Sequence, residues 1–548
     1  MNVAHMLVVP AGVGTPRVGL PRRRGFFRNR QTPPIAPAMG GFCGMLGQIR
    51  LPRGMCMATG GRVVVIGAGV GGLASAIRCA HAGRPTTLLE ARSQLGGKLN
   101  IRHDAGFTWD TGPSLLTMPW VLDDLLQCAG TSLAQELDII RLPSACRSLW
   151  QDGTVFDAHA SLPQLLDSIR QISPDDVHAF MRFLTYAGTI WDLTADPFLY
   201  QPFHGLKSIA KSNMLHRSWQ LDGIRTMDQA VRSYFRHPYL QQVMNRFATY
   251  NGSSPFRTPA TFNTIAWAEF ALGAFYPRGG MYGITQLLER TAVRLGVEIK
   301  VNTSVAEISH HNGAVRGVCT SDGDYYEATD VICNVDPQIA YERFIPGAKE
   351  RAERLKKREL SMSGMAILWG IDRAYTHLDH HTVCFSPNYR AEFADIDAGR
   401  LHDTPTVYLN HTMHYDPSHA PAGGQNLFAL VNVPAQRGAI DWASAAPVYI
   451  ERVMDRLASF GMADIRDRIV VQHVYTPDDF AHLYNAPGGA IYGLASNART
   501  SAFMRPPQRD RDINGLVFCG TGTHPGGGVP LALLSGKHAA GYILGTHS

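Results

Sequence analysis

The stretch RVVVIGAGVGGLASAIRCAHAGRPTTLLEARSQLGGK, residues 62–98, decides the fold. Val63 to Ile66 is a short apolar run suited to a buried parallel strand. Gly67, Gly69 and Gly72 follow in GxGxxG spacing. A helix is predicted from Leu73 to about His81 and a second strand over Thr86–Leu89, ended by Glu90. Strand, glycine turn, helix and a terminal acid make a βαβ unit that binds a dinucleotide. Gly67 permits the tight turn, Gly69 lets backbone approach a pyrophosphate, and Gly72 lets helix and strand pack closely. Ala68 and Gly71 inside the turn, and Ala91 beside the acid, complete this unit's candidate contacts. The helix N-terminus faces the phosphate charge.

The motif alone does not separate NAD from FAD. Gly96-Gly97-Lys98 leans towards FAD, because a second glycine pair past the ribose acid resembles that of many flavoproteins. An ordinary loop turn is the alternative. At the other end, LVFCGTGTHPGGGVPLALLSGKHAAGYIL (Leu516–Leu544) reads as a buried strand, a glycine loop and a helix opened by Pro530. The loop from Gly520 to Pro530 suits close backbone approach to a flat ring, and the helix behind it favours negative charge on a reduced flavin. Gly279-Gly280, Gly488-Gly489 and Gly526 to Gly528 lack the strand–helix–acid context. No second dinucleotide site for NADPH is therefore expected, and electrons must leave to oxygen, a quinone or another diffusing acceptor.

At 548 residues, 45% hydrophobic and 18% charged, the chain has globular composition and room for two or three interleaved domains. It has no apolar run long enough for a membrane span. Nine scattered cysteines (43, 56, 79, 128, 146, 319, 333, 384, 519) without CxxC suit reduced thiols in a cytoplasm, not a disulfide framework or zinc site. The formal charge of +6 is local. Residues 1–60 hold eight arginines and no Lys, Asp or Glu, leaving 43 basic against 45 acidic residues elsewhere. No nucleic-acid partner is inferred. This Pro- and Gly-rich extension reads as disordered. It is an upstream mis-start before Met57, the favoured reading, or a transit-type segment, or a basic arm for anionic lipid.

The expected fold class is α/β: a Rossmann-like FAD-binding domain built from discontinuous segments, a mixed α+β substrate domain, and a helical membrane-associating region. The FAD-binding pieces are expected at 62–150, 277–340 and 496–548. The helical region covers 151–276 and the substrate domain 341–495. The second piece carries a helix from Ile284 to Leu295, a strand ending near Ile308, and a small meander. The helical region is rich in aromatics (Phe180, Phe183, Tyr186, Trp191, Phe198, Tyr200, Phe203), read either as core or as the wall of a lipid-sized tunnel.

Three blocks carry a family resemblance: residues 62–98 with GFTWDTGPSLLTMP (Gly106–Pro119); HHTVCFSPNYRAEF (His380–Phe393) with DPSHAPAG (Asp416–Gly423); and Arg509–Gly541. In these the chain resembles the bacterial and fungal phytoene desaturases, from about Arg62 to Leu544. The resemblance implies FAD held by Gly67, Gly69, Gly72, Glu90, Gly97 and Lys98, with Gly112, Pro113 and Ser114 beside it. It implies adenine against the backbone of Val305, and flavin ring or ribityl chain against Gly520, Thr523, His524 and Val529. Many related flavoproteins carry an acid in the final loop. Here Gly520-Thr521-Gly522-Thr523 stands there, so the ribityl contact is expected from backbone or hydroxyls.

Family members are peripheral membrane proteins that draw long polyenes from the bilayer. The expected partners are thus an acyclic carotenoid and a membrane surface, at the cytoplasmic face. Binding would be almost wholly apolar burial, at about 25 cal/mol per Å². PGGAIYG (Pro487–Gly493) and the final loop look at least as close to subgroups acting on thirty-carbon or modified forty-carbon carotenoids, some of which oxidise end groups. Desaturase and oxygenase stay open, with a non-catalytic prenyl-lipid carrier as a reading of another class. Desaturation removes a hydride and a proton. Candidate proton acceptors are His524 and Asp110, with backbone bonding and loop capping as their structural alternatives. His377, His380, His381, His411 and His414 do not have zinc spacing, and no metal is expected.

Overall fold

The computed structural model describes residues 60–202, 217–435, 440–498 and 505–546; residues 1–59 of the extension, and Phe203, lie outside them. Residues 62–98 build the centre of a parallel sheet. Strand β1 (Val63–Ile66), helix α1 (Val70–His81) and strand β2 (Thr86–Leu89) form in that order. Helix α2 (Tyr282–Arg294), β3 (Glu298–Lys300), β4 (Asp330–Cys333), β5 (Leu516–Phe518) and α3 (Val529–Ile543) come from the two distant pieces. The sheet order is β5-β4-β1-β2-β3, parallel at every pairing.

The unbroken apolar run of β1 follows from having both faces covered. Val63 and Val65 pack with Leu73 of α1, Leu287 of α2 and Leu533 of α3. Val64 and Ile66 point the other way, into a cluster with Ile308 and Val318 of a three-stranded meander. α1 begins at Val70, a turn earlier than predicted. Gly71 and Gly72 are poor helix formers, but close packing holds them in the helix. A Cβ on Gly536 of α3 would meet the Gly71 carbonyl at 2.4 Å, and one on Gly72 would meet the Gly67 carbonyl at 2.0 Å.

The run predicted as one strand ending near Ile308 is two, β3 and Val305–His311. Between them the Thr303 N–H donates to the Glu90 carbonyl, and the chain leaves the parallel sheet for the meander. A second sheet has seven strands among the described residues. Their order is Ile469–Tyr475, Ser363–Ile371, Gln425–Val433, Val407–Asn410, His381–Cys384, Ser144–Leu149, Val155–His159. The predicted first piece, 62–150, is corrected here. Ser144–Leu149 belongs to this second sheet, pairing in parallel with His381–Cys384.

Helices Leu162–Ile172, Val177–Thr194, Met227–Tyr234 and Pro238–Asn245 cover one side of that sheet, sharing a core with Val383 and Phe385. Phe180 and Phe183 are fully buried in that core. Among the described residues no helix is long and apolar enough to cross a membrane.

Candidate active site

A cavity of about 940 Å³ opens along the carboxyl ends of the parallel strands. Its wall includes Gly67 after β1, Glu90 after β2, Asn334 after β4 and Gly520 after β5. This is where open α/β sheets bind ligands. Gly69 caps α1 without a side-chain bond, and the first intrahelical bond is Leu73 N–H to the Gly69 carbonyl, at 3.0 Å. The N–H groups of Val70, Gly71 and Gly72 therefore have no intrahelical acceptor, and the helix end presents partial positive charge to the cavity. Glu90 accepts from Ala68 N at 2.7 Å and Arg92 N at 3.0 Å, which fixes its carboxylate on the wall.

Two half-buried cations line the same space. Lys98 Nζ donates to the Ile491 carbonyl at 2.6 Å, and Arg505 Nη1 to the Thr521 carbonyl at 3.1 Å. Burial pulls the Lys98 ammonium down to about 8, against the raising effect of the Asp336 charge. Burial likewise lowers Arg505 to about 10. The lining also carries apolar side chains: Trp191, Phe198, Leu221, Phe262, Ile265 and Leu430. The aromatic stripe thus divides, with Phe180 and Phe183 in the core and Trp191 and Phe198 on the wall.

Residues 70–544 match the family model for flavin containing amine oxidoreductases. The chain belongs to that family. Its cofactor is FAD. The curated relatives include a 1-hydroxycarotenoid 3,4-desaturase of a Flavobacterium species, 34% identical over 89% of this chain and 100% of that one. A 4,4'-diapolycopene oxygenase of a Methylomonas species is 34% identical over 87% of this chain and 96% of its own. A lycopene-forming phytoene desaturase of Pseudescherichia vulneris is 32% identical over 88% and 99%. Among solved structures, an oxidoreductase from Methanosarcina mazei superposes with TM-score 0.59 at 18% identity, covering 87% of this chain and 99% of that one. A fatty acid isomerase from P. acnes gives 0.58 at 15%, covering 87% and 97%. These two share the fold.

The amine oxidoreductase cofactor fits the chemistry of this wall: an acid for ribose hydroxyls, open N–H groups and cations for a diphosphate, and a glycine loop for a flat ring. Gly67, Gly69, Gly71, Glu90, Ala91, Gly97, Lys98, Gly112, Pro113, Ser114, Val305, Gly520 and Val529 all line the cavity.

Five predicted residues stand behind the wall instead. Ala68 and Gly72 are buried under the turn, where their work is structural. Thr523 is fully buried, and its hydroxyl turns inward to Ser535 Oγ at 3.1 Å and the Gly520 carbonyl at 3.2 Å. His524 is 5% exposed, with its ring edge-on to Phe198 at 4.8 Å and bonded to backbone at Phe198 and Gln201. It ties the final loop to the helical region. Burial, then the neighbouring His538, lowers its pKa to about 3.

Asp110 is corrected in the same way. Its two carboxylate oxygens accept from Met281 N at 2.9 Å and Tyr282 N at 3.0 Å, clasping the start of α2. Burial, opposed by these two bonds, raises it to about 7 from 3.8. The folded state thus holds the proton more tightly than the unfolded one. Its stabilising contribution is fully present below pH 3.8 and is lost as pH rises to about 7. Thermal unfolding followed from pH 4 to 8 is expected to show this downward slope, of about 1.4 kcal/mol per pH unit at most. Asp110→Asn removes that component; an unchanged slope in the variant would assign it elsewhere.

Several wall residues were not read from the sequence. Ser114 Oγ and Tyr408 Oη lie 2.5 Å apart, and Tyr408 Oη is 2.7 Å from His381 Nδ1. All three line the cavity. The Asn410 amide donates to the His380 carbonyl and to His381 Nδ1, at 2.9 and 3.1 Å. With that amide orientation Nδ1 is an acceptor, so Tyr408 donates to it and Ser114 to Tyr408. Burial, then the charge of Arg246, lowers His381 to about 3, so the ring is neutral at physiological pH. Arg246, also on the wall, bonds Glu269 and Tyr250, each at 3.2 Å, and Tyr250 in turn bonds Glu269. Next to His381, His380 Nδ1 pairs with the His411 carbonyl at 3.1 Å.

Proposed function

We propose that this chain is an FAD-dependent desaturase that removes hydrogen pairs from an acyclic carotenoid at a membrane surface. The observation that carries the reading is that one cavity is lined both by the dinucleotide cradle and by aromatic and aliphatic side chains such as Trp191, Phe198, Phe262 and Ile265. The three curated relatives above are named for carotenoid substrates, which matches a compartment walled by aromatic and aliphatic side chains. Bound FAD supplies the ring that accepts the hydride. The wall glycines, Glu90, Lys98 and Val305 hold and orient it. The apolar lining desolvates the polyene and keeps water from the developing allylic cation.

The proton leaves through Ser114. Ser114 Oγ takes it while passing its own to Tyr408 Oη, which passes its own to His381 Nδ1. A base as weak as buried His381 suffices, because a C–H beside an allylic cation is strongly acidic. Tyr408→Phe breaks this chain without changing the cradle. Turnover is expected to fall about 100-fold with flavin content unchanged, measured as product per bound flavin. Turnover equal to wild type would remove the route.

Membrane contact is assigned to the rim at Trp219 and Ile224. These are 78% and 75% exposed, and Ile224 also lines the cavity. Electrons then pass to oxygen or a quinone, at the cytoplasmic face. Oxidation of a carotenoid end group is the second reading, favoured by the 34% identity to the diapolycopene oxygenase. Expression in cells that make thirty-carbon or forty-carbon precursors, with mass analysis of pigments, separates the two. Loss of hydrogen pairs supports desaturation, gain of oxygen supports the second reading, and unchanged pigment contradicts both.

A further inference from the structure

We propose that Asp336 is the carboxylate that accepts hydrogen bonds from the ribityl hydroxyls of FAD, in place of the acid missing from the final glycine loop. The inference concerns cofactor binding and does not depend on which polyene is used. Asp336 lies just past β4, on the cavity wall. A Cβ built on Gly522 would fall 2.6 Å from Asp336 Oδ2 and 2.8 Å from the Pro337 ring. The carboxylate therefore fills the space that a side chain at loop position 522 would use. Glycine at 522 and aspartate at 336 are two halves of one arrangement.

The two oxygens have different tasks. Oδ1 accepts from Gln338 N at 2.9 Å and caps the helix Pro337–Arg343. The cap needs one oxygen only, which leaves Oδ2 for the cavity. A carboxylate there requires donors, since burying it without them is costly. Burial raises its pKa, and the charges of Lys98 and Arg505 oppose that rise, which places both cations near it. They are already bonded to the carbonyls of Ile491 and Thr521.

Sheet order says which part of FAD arrives here. Glu90, the ribose acid, ends β2, and the open helix N-terminus for the diphosphate follows β1. Next across the sheet comes β4, which ends in Asn334-Val335-Asp336, and then β5 with its glycine loop. A dinucleotide laid along β2, β1, β4 and β5 therefore passes Asp336 after the diphosphate and before the ring. The hydroxyl-bearing part of FAD between those two is the ribityl chain.

The test uses flavin-depleted full-length chain and two probes, FAD and ADP, the latter lacking the ribityl chain and the ring. Asp336→Asn and Asp336→Ser both keep a side-chain oxygen for the Gln338 N–H, so the helix cap survives. Expected is a tenfold or greater rise in the FAD dissociation constant, read by flavin fluorescence, with ADP affinity within twofold of wild type. Equal weakening of FAD and ADP would place the charge at the diphosphate or in folding, and would overturn the assignment. Unchanged FAD affinity in both variants would overturn it as well.

Discussion

Gly72→Ala is expected to yield a protein that has lost at least nine-tenths of its flavin. The added Cβ would stand 2.0 Å from the Gly67 carbonyl, in the turn that faces the diphosphate, and 3.3 Å from Asn334 Cβ, just past β4. Neither neighbour is the free end of a flexible side chain, so the turn and the start of α1 must move apart. Such overpacking costs about 1–3 kcal/mol in ordinary cores, and a backbone carbonyl at this distance puts the cost at or above the upper end. A tenfold loss of FAD affinity corresponds to only about 1.4 kcal/mol, so part of that strain is enough. Flavin-to-protein absorbance ratio after purification measures the effect. A variant that retains full flavin would contradict the close approach of α1 to β1.

Glu269→Ala is expected to be the most destabilising change in the substrate half. Glu269 is 3% exposed and bonds both Arg246 and Tyr250 beneath the cavity wall. Removing it leaves a buried guanidinium without its counter-charge, at about 3–5 kcal/mol. The loss comes from the stranded charge, so removing both charges is expected to be milder than removing one. Arg246→Met combined with Glu269→Leu should recover most of the thermal stability lost in Glu269→Ala. A double variant as unstable as the single one would show that packing, not charge, dominates there.

How much of this was legible in the sequence depends on how local each signal is. β1 and β2 are found over the predicted residues because the apolar run, glycines and acid all fall within one βαβ unit. The first turn of α1 is not legible locally, because it is held by contact with α3, almost the whole chain away. The sheet that Ser144–Leu149 joins is not legible locally, because its partner, His381–Cys384, lies more than two hundred residues on. The cofactor wall was largely readable, since glycines mark where backbone must approach a ligand.

The candidate proton acceptors were misplaced because loop membership does not say which way a side chain faces. Asp110 faces α2, and His524 faces the helical region. Asn334 and Asp336 were missed for lack of a glycine signature. The available signal was Asn334-Val335-Asp336-Pro337 directly after an apolar strand, an acid with proline behind it at the mouth of a parallel sheet.

The most direct test of the central claim is anaerobic mixing of the purified flavoprotein with an acyclic carotenoid carried in lipid vesicles, without nicotinamide. The flavin's visible band is predicted to bleach while the polyene loses two hydrogens per flavin, and the band should return on adding oxygen or a quinone. A flavin that stays oxidised beside bound carotenoid, or bleaches only with NADPH, would contradict the account.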